Sequence, residues 1–173
     1  VIRPRTLADL AALERALRAV HEGDGYPTVW PHDPGAFLSP PSVGAWAAEA
    51  QGQVVGQVIL RPVPDSTPGW VTATGLAVPE VLIVSRLFVA PGARGQGLAR
   101  RLLHAAWQEA RERGKQAVLD VHHRNLGAVR LYEAEGWRRV ATVGGDWTDP
   151  DGTVPQVHVY VAPSPAAPSL NPT

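Results

Sequence analysis

Cysteine is absent from this chain. Its absence excludes a disulfide framework, a thiolate metal site and a cysteine nucleophile. No excess of either charge is present, since 16 Lys and Arg balance 16 Asp and Glu. The chain therefore offers no basic footprint for nucleic acid or for an anionic membrane surface. No apolar run approaches about 18 residues, and no N-terminal signal pattern is seen. The expectation is a soluble, cytoplasmic protein with neither nucleic acid nor membrane as partner. Phenylalanine is scarce, at two residues against six tryptophans, and aromatic area so concentrated in indoles suggests that some of it lines a pocket. At 173 residues, the chain is long enough for one domain with a sizeable core, and it shows no internal repeat.

The most informative stretch runs from Ser85 to Leu103. An apolar run, Val81 to Val89, enters it, and Leu98, Leu102, Ala106 and Ala110 leave it at helical spacing. Between them stand Gly92, Arg94, Gly95 and Gly97. A strand, a glycine-rich turn and a helix start make an anion site, because glycine lets the backbone approach a ligand and the helix N-terminus presents free amides. A phosphate-bearing ligand is the expectation. Gly92 and Gly97 have the spacing of a Walker loop, but Leu98-Ala99 replace its Lys and Ser/Thr, which rejects a nucleotide triphosphate. Gly95-x-Gly97 would need Gly or Ala at position 100 for a dinucleotide fingerprint, and Arg100 stands there.

The rest of the chain organises around this stretch. Residues 1–4 read as a strand. Thr6 and Asp9 form a capping pair for a helix whose apolar face is Leu10, Leu13, Leu17 and Val20. Residues 21–42 read as a long loop rich in Gly and Pro, whose Tyr26, Trp30 and Phe37 form a substrate-side wall or pack on the core. Residues 45–50 and 54–60 read as a hairpin, and 70–77 as an edge strand or irregular segment. Val81–Val89 suits a strand covered on both faces. Helix 97–113 stops at Gly114, and 117–121 is a parallel strand after it. A short helix follows over about 126–135, and 137–143 with 154–161 close the sheet. The tail, 163–173, is rich in proline and expected to be disordered.

A second motif lies about 30 residues beyond the glycine loop: Asn125-x-x-Ala128-x-x-Leu131-Tyr132-Glu133-x-x-Gly136-Trp137. Together with Arg94-x-x-Gly97-x-Ala99, it resembles the GNAT family of N-acetyltransferases. Their coenzyme A loop reads Arg/Gln-x-x-Gly-x-Gly/Ala, and their later motif reads Asn-x-x-Ala-x-x-x-Tyr-x-x-x-Gly-Phe/Tyr/Trp. The resemblance covers residues 81–140; the first 80 match only as strand, helix, loop and hairpin. It implies a single α/β (α+β) domain over 1–162. Its central mixed sheet would have about six to seven strands, with a V-shaped splay between two parallel strands and about four flanking helices.

The resemblance also implies roles. Backbone amides of Arg94, Gly95, Gln96, Gly97, Leu98 and Ala99 would hold the pyrophosphate of acetyl-CoA. The pantetheine arm would pair with the strand at Leu87, Phe88 and Val89, where an amide near Phe88 or Val89 faces the thioester oxygen. Asn125 would bond the pantetheine, or simply cap its helix. Tyr132 would protonate the leaving thiolate, or only pack as an aromatic one turn after Ala128. Many relatives carry a carboxylate where Ser85 stands, and serine cannot serve as that base unaided. Glu80 is the first candidate in its place; Asp120, Glu22, Glu49, His21, His32 and His122 are others, reached through water. His122 and His123 adjoin on a strand and should point to opposite faces, which argues against a metal. The implied activity is acetyl transfer to a primary amine, small or peptide, by direct attack. Tyr26, Trp30 and Trp46 favour a small acceptor. The alternatives are a non-catalytic acyl-CoA-binding module and a longer acyl donor. Edges at the C-terminal hairpin would allow a homodimer by strand pairing.

Overall fold

The computed structural model describes residues 1–164, so the proline-rich tail from 165 onward lies outside the described residues. Seven strands form one sheet: β1 (Ile2–Pro4), β2 (Gly44–Ala50), β3 (Gln53–Pro62), β4 (Val81–Val89), β5 (Gln116–His122), β6 (Arg138–Gly144) and β7 (Gln156–Val161). Their order is β1-β2-β3-β4-β5-β7-β6, and every neighbouring pair is antiparallel except β4–β5. The helices are α1 (Leu10–Asp24), α2 (Pro34–Leu38), α3 (Gly69–Thr72), α4 (Leu98–Glu112) and α5 (Leu126–Ala134). Among the described residues no helix is long and apolar enough to cross a membrane.

The sheet is covered on both sides, which explains the unbroken apolar run of β4. Leu82 and Val84 join Leu98, Leu102, Ala106, Val129 and Tyr132 beneath α4 and α5. Val81 and Ile83 face the other way, into a cluster with Trp70, Val71 and Val118. Farther along that second face Phe88 meets Leu13, Leu17 and Leu38 of α1 and α2. The period of two along the strand thus feeds two cores. Leu102, fully buried under the sheet, should be among the costliest truncations. We expect Leu102→Ala to cost about 3 kcal/mol and to lower the melting temperature by roughly 10 °C, read in a thermal melt.

Several boundaries differ from the sequence expectation. Helix α1 runs on to Asp24, and Asp33 caps α2 by accepting the Ala36 N–H at 3.0 Å, so the expected long loop is interrupted. Residues 69–72 form a helical turn rather than a strand, with both Trp70 and Val71 buried. A strand would send these neighbours to opposite faces, whereas one helical turn lays both on the sheet. Trp46 sits on the α4 side of the sheet, not with the aromatic residues of 26–37.

The feature that positions the site is an opening in the sheet. β4 and β5 pair only at Val81–Ile83 with Gln116–Val118. Beyond that, β4 stays with β3 and β5 stays with β7. A β-bulge explains the divergence. Gln57 pairs with Phe88 and Ile59 with Ser85, so β4 spends three residues where β3 spends two. The extra residue bends the strand, and Arg86 takes the left-handed conformation at φ 55°. β3 also comes very close at this end: a Cβ on Gly56 would lie 2.5 Å from the Phe88 carbonyl oxygen, so only glycine fits there.

Candidate active site

Four parts converge on the open end. The first is the turn between β4 and α4. Gly95 and Gly97 lie at φ 80° and 73°, Gly97 being the residue before α4. The amides of Gly95, Gln96 and Gly97 donate to no backbone carbonyl among the described residues, and those of the first helical turn have no intrahelical acceptor. They form a nest for an anion. The Arg94 side chain is engaged elsewhere. It ion-pairs with Asp24 at the end of α1 and reaches the Val89 carbonyl at 3.4 Å, stapling the turn to α1. Arg100 is exposed and only 4.0 Å from Glu135.

The second part is the free edge of β4 beyond Ile83, which includes Leu87, Phe88 and Val89. The Phe88 side chain is buried against α1, so it is backbone that faces the opening.

The third part is Tyr132 on α5. It is 6% exposed, lies between Trp137 and Tyr160 at centroid distances of 6.1 and 5.8 Å, and makes no hydrogen bond from its hydroxyl among the described residues. Burial holds its pKa above the ordinary phenol value, with smaller upward pushes from Tyr26, Asp120 and Tyr160. Asn125 opens the same helix, its Oδ1 accepting the Ala128 N–H at 3.3 Å. The cap uses the oxygen and leaves the amide nitrogen for a ligand.

The fourth part is a polar cluster on the α1 side. Continuing the register Ile83–Val118 by two residues puts Ser85 of β4 level with Asp120 of β5, on the same face. Burial raises the Asp120 carboxyl to about 6; the exposed Asp146 adds to this, while its own backbone, Arg86 and Arg61 pull it back. Arg86 donates from Nε to the Phe37 carbonyl at 3.1 Å and lies 3.8 Å over the Phe37 ring. Tyr26 is beside it: burial raises its phenol, and Arg86 opposes the rise.

Other residues singled out in the sequence are not brought here. Glu80 is exposed and precedes Val81 at the closed end of the sheet, so nine residue steps, about 30 Å of extended chain, separate it from Val89. Trp30 packs on α1, with its ring 5.4 Å from that of His21 and under Arg18. Glu49 is bound by Arg3 at 2.8 Å, His21 bonds the Pro27 carbonyl, and Glu22 and His32 are exposed. His122 is bonded to Asp149 at 3.0 Å. The rings of His122 and His123 stack, 4.9 Å apart at 15°, contrary to the opposite-face expectation, because β5 ends at His122 and the chain turns.

Arg61 and Arg86 carry no sequence motif. Their only signal is a cation inside or just after an apolar strand run, and that reads equally as a strand end.

The described geometry has known counterparts. The family profile described as "Acetyltransferase (GNAT) family" matches residues 9–137. N-acetyltransferase 8 of Mus musculus is 37% identical over 105 residues, which are 60% of this chain and 42% of that protein. The chain thus spans less than half the length of that relative. The uncharacterized N-acetyltransferase YjgM of Escherichia coli is 28% identical over 149 residues, 81% of this chain and 83% of its own. Among solved structures, Arabidopsis thaliana NAA60 in complex with acetyl-CoA superposes with a TM-score of 0.69 at 17% identity, covering 93% of this chain and 96% of that one.

Proposed function

The chain belongs to the acetyltransferase (GNAT) family, and we propose that it transfers an acetyl group from acetyl-CoA to a primary amine by direct attack in a ternary complex. The observation that carries this reading is the one-sided opening of the sheet beside the glycine nest, with Tyr132 on one wall and Asp120 on the other. The nest, from Arg94 to Ala99, holds the pyrophosphate through backbone amides. The pantetheine arm lies along the free edge of β4 at Leu87–Val89, with Asn125 beside it. An amide at Phe88 or Val89 stabilises the oxyanion that develops on the thioester carbonyl.

The acceptor amine enters from the α1 side, past Tyr26. It is protonated in water and must lose a proton before it attacks. Asp120 takes that role, level with Ser85 and ionised above a pH of about 6, and it replaces Glu80 as the base. Collapse of the tetrahedral intermediate breaks the carbon–sulfur bond, and Tyr132 donates its O–H to the departing sulfur.

A thermal-shift titration with acetyl-CoA, followed by free-thiol release across a panel of amines, tests the proposal. A ligand that binds only the folded state raises the melting temperature by mass action. We expect stabilisation together with thiol release on one amine class. Stabilisation without release on any amine is the result of a non-catalytic acyl-CoA-binding module. No shift at millimolar acetyl-CoA overturns the donor site.

A further inference from the structure

Most guanidinium groups of this chain that approach a carboxylate are neutralised by it. Arg3 is held by Asp9 and Glu49, Arg94 by Asp24, Arg113 by Glu109 and Arg139 by Glu133. Arg61 and Arg86, both partly buried, form no ion pair among the described residues. The Nε of Arg61 is fully buried and has no hydrogen-bond partner there. Arg86 spends its Nε on the Phe37 carbonyl and also bonds the Tyr26 phenol, which leaves its fork without a carboxylate partner among the described residues. Arg86 is close enough to disfavour the charge on Arg61, and Asp120 is the nearby carboxyl that favours it. One carboxyl thus serves two guanidiniums, with the exposed Asp146 at the rim. Desolvated charge without a partner is costly, and an excess of one positive charge beside a nitrogen-binding position calls for an anion.

Where that anion sits follows from register. Arg61 pairs with Ile83 on β4, one same-face step, about 7 Å, nearer the closed end of the sheet than the level of Ser85 and Asp120. An amine at Asp120 therefore has the Arg61 guanidinium one step deeper in the pocket. That spacing suits an amine and an acid group on the same or adjacent carbons. It does not suit the N-terminus of a peptide chain, whose first carboxyl is already an amide.

We propose that the acceptor is a small amino-carboxylate, an amino acid in the simplest case, whose carboxylate is clamped by Arg61 and Arg86 while its amine faces Asp120. Arg61 and Arg86 are specificity-determining residues, with no part in bond making. Guanidinium is suited to this task because its planar fork matches a carboxylate in two hydrogen bonds. Phe37 fixes the orientation of Arg86 by lying under it. The inference rests on the acetyl-transfer reading above.

The test compares free amino acids with their own methyl esters and carboxamides as acceptors, with thiol release as the readout. The twenty protein amino acids and β-alanine form the panel. The neutral derivatives have less basic amines, so intrinsic reactivity at neutral pH favours them. Preference for the acid therefore reports recognition of the carboxylate. We expect at least one acid to exceed its ester and amide by tenfold or more in kcat/KM. R61Q should raise KM for that acid at least tenfold and R61K by less, while acetyl-CoA still raises the melting temperature of both variants, showing that they fold and bind donor. Esters or amides that equal the acids overturn the proposal, as does a KM unchanged in R61Q. So does a panel in which no acid gives either thiol release or a thermal shift in the presence of coenzyme A. Loss of the acetyl-CoA shift in the unmodified protein is a different failure, which removes the donor reading itself.

Discussion

Replacing Asp120 by asparagine is expected to lower kcat/KM by about 10²- to 10³-fold, the usual scale for losing a positioned general base, and to make the protein more stable at neutral pH. The two effects have one origin. Asp120 is a half-buried carboxyl raised to about 6, chiefly by loss of solvation. Between its ordinary value and that value, the folded state keeps a proton that the unfolded state has released. Stability therefore falls as pH rises through this window, and above a pH of about 6 the full cost of burying the charge is borne. Asparagine removes that cost, and each kcal/mol recovered is worth roughly 2–4 °C in melting temperature for a chain of this size. Activity runs the other way, because only the ionised carboxylate can take the ammonium proton. The acid limb of the kcat/KM profile should fall with a midpoint near 6 in the unmodified protein and vanish in D120N. A D120N protein that keeps its activity, or keeps the same acid limb, removes Asp120 from the mechanism. A purely structural carboxylate would give a change in stability with the profile left intact.

Local signals carried most of the fold, and the second face of the site was where they ran out. The capping pair of the 3-10 turn Leu7–Asp9 that leads into α1 is an example: Asp9 Oδ2 accepts the Thr6 N–H at 2.7 Å, three residues apart in sequence. The glycine nest and the Asn125–Trp137 motif were equally readable, because each is one turn and one helix start. The base was not. Glu80 adjoins the central strand in sequence, but strand direction puts it at the closed end, whereas Asp120 lies two residues beyond Val118, where the pairing of β4 with β5 ends. Arg86 gave no sign either. A bulge belongs to a pair of strands, and the residues that define this one, Gln57, Ile59, Ser85 and Phe88, are nearly 30 positions apart. No propensity of Arg86 foretells a left-handed backbone at a residue with a Cβ. The tryptophans were ambiguous for a simpler reason. Trp30 and Trp46 bury the same kind of area against α1 and α4 that a pocket wall would offer a ligand. Only the fold decides which side of the sheet each one joins.

Replacing Tyr132 by phenylalanine should lower kcat by about 10²-fold, with KM for either substrate changing much less. The ring is retained between Trp137 and Tyr160, so the melting temperature should stay close to that of the unmodified protein. The physical question is what the hydroxyl does. Burial raises the phenol above its usual pKa, while an alkyl thiol lies near 8.5. Full proton transfer from the phenol to the thiolate is therefore uphill, by at least about 2 kcal/mol on the unperturbed values alone. Asp120, once it has taken the amine's proton, is an acid of about 6, and from there transfer to sulfur is downhill. In the proposed mechanism Tyr132 therefore acts as a relay: it gives its proton to sulfur as it takes one from the acceptor side, so that no free phenolate forms. This account predicts a dependence on the leaving group. A thioester with a more acidic thiol needs less help, so the defect of Y132F should shrink when acetyl-CoA is replaced by such a donor at saturating concentration. An equal defect with both donors would assign Tyr132 to positioning of the coenzyme rather than to the sulfur. A kcat unchanged with acetyl-CoA would leave the hydroxyl no role in the reaction. The decisive number is the ratio of the two defects, because a loss of packing lowers both alike and only stabilisation of the leaving sulfur separates them.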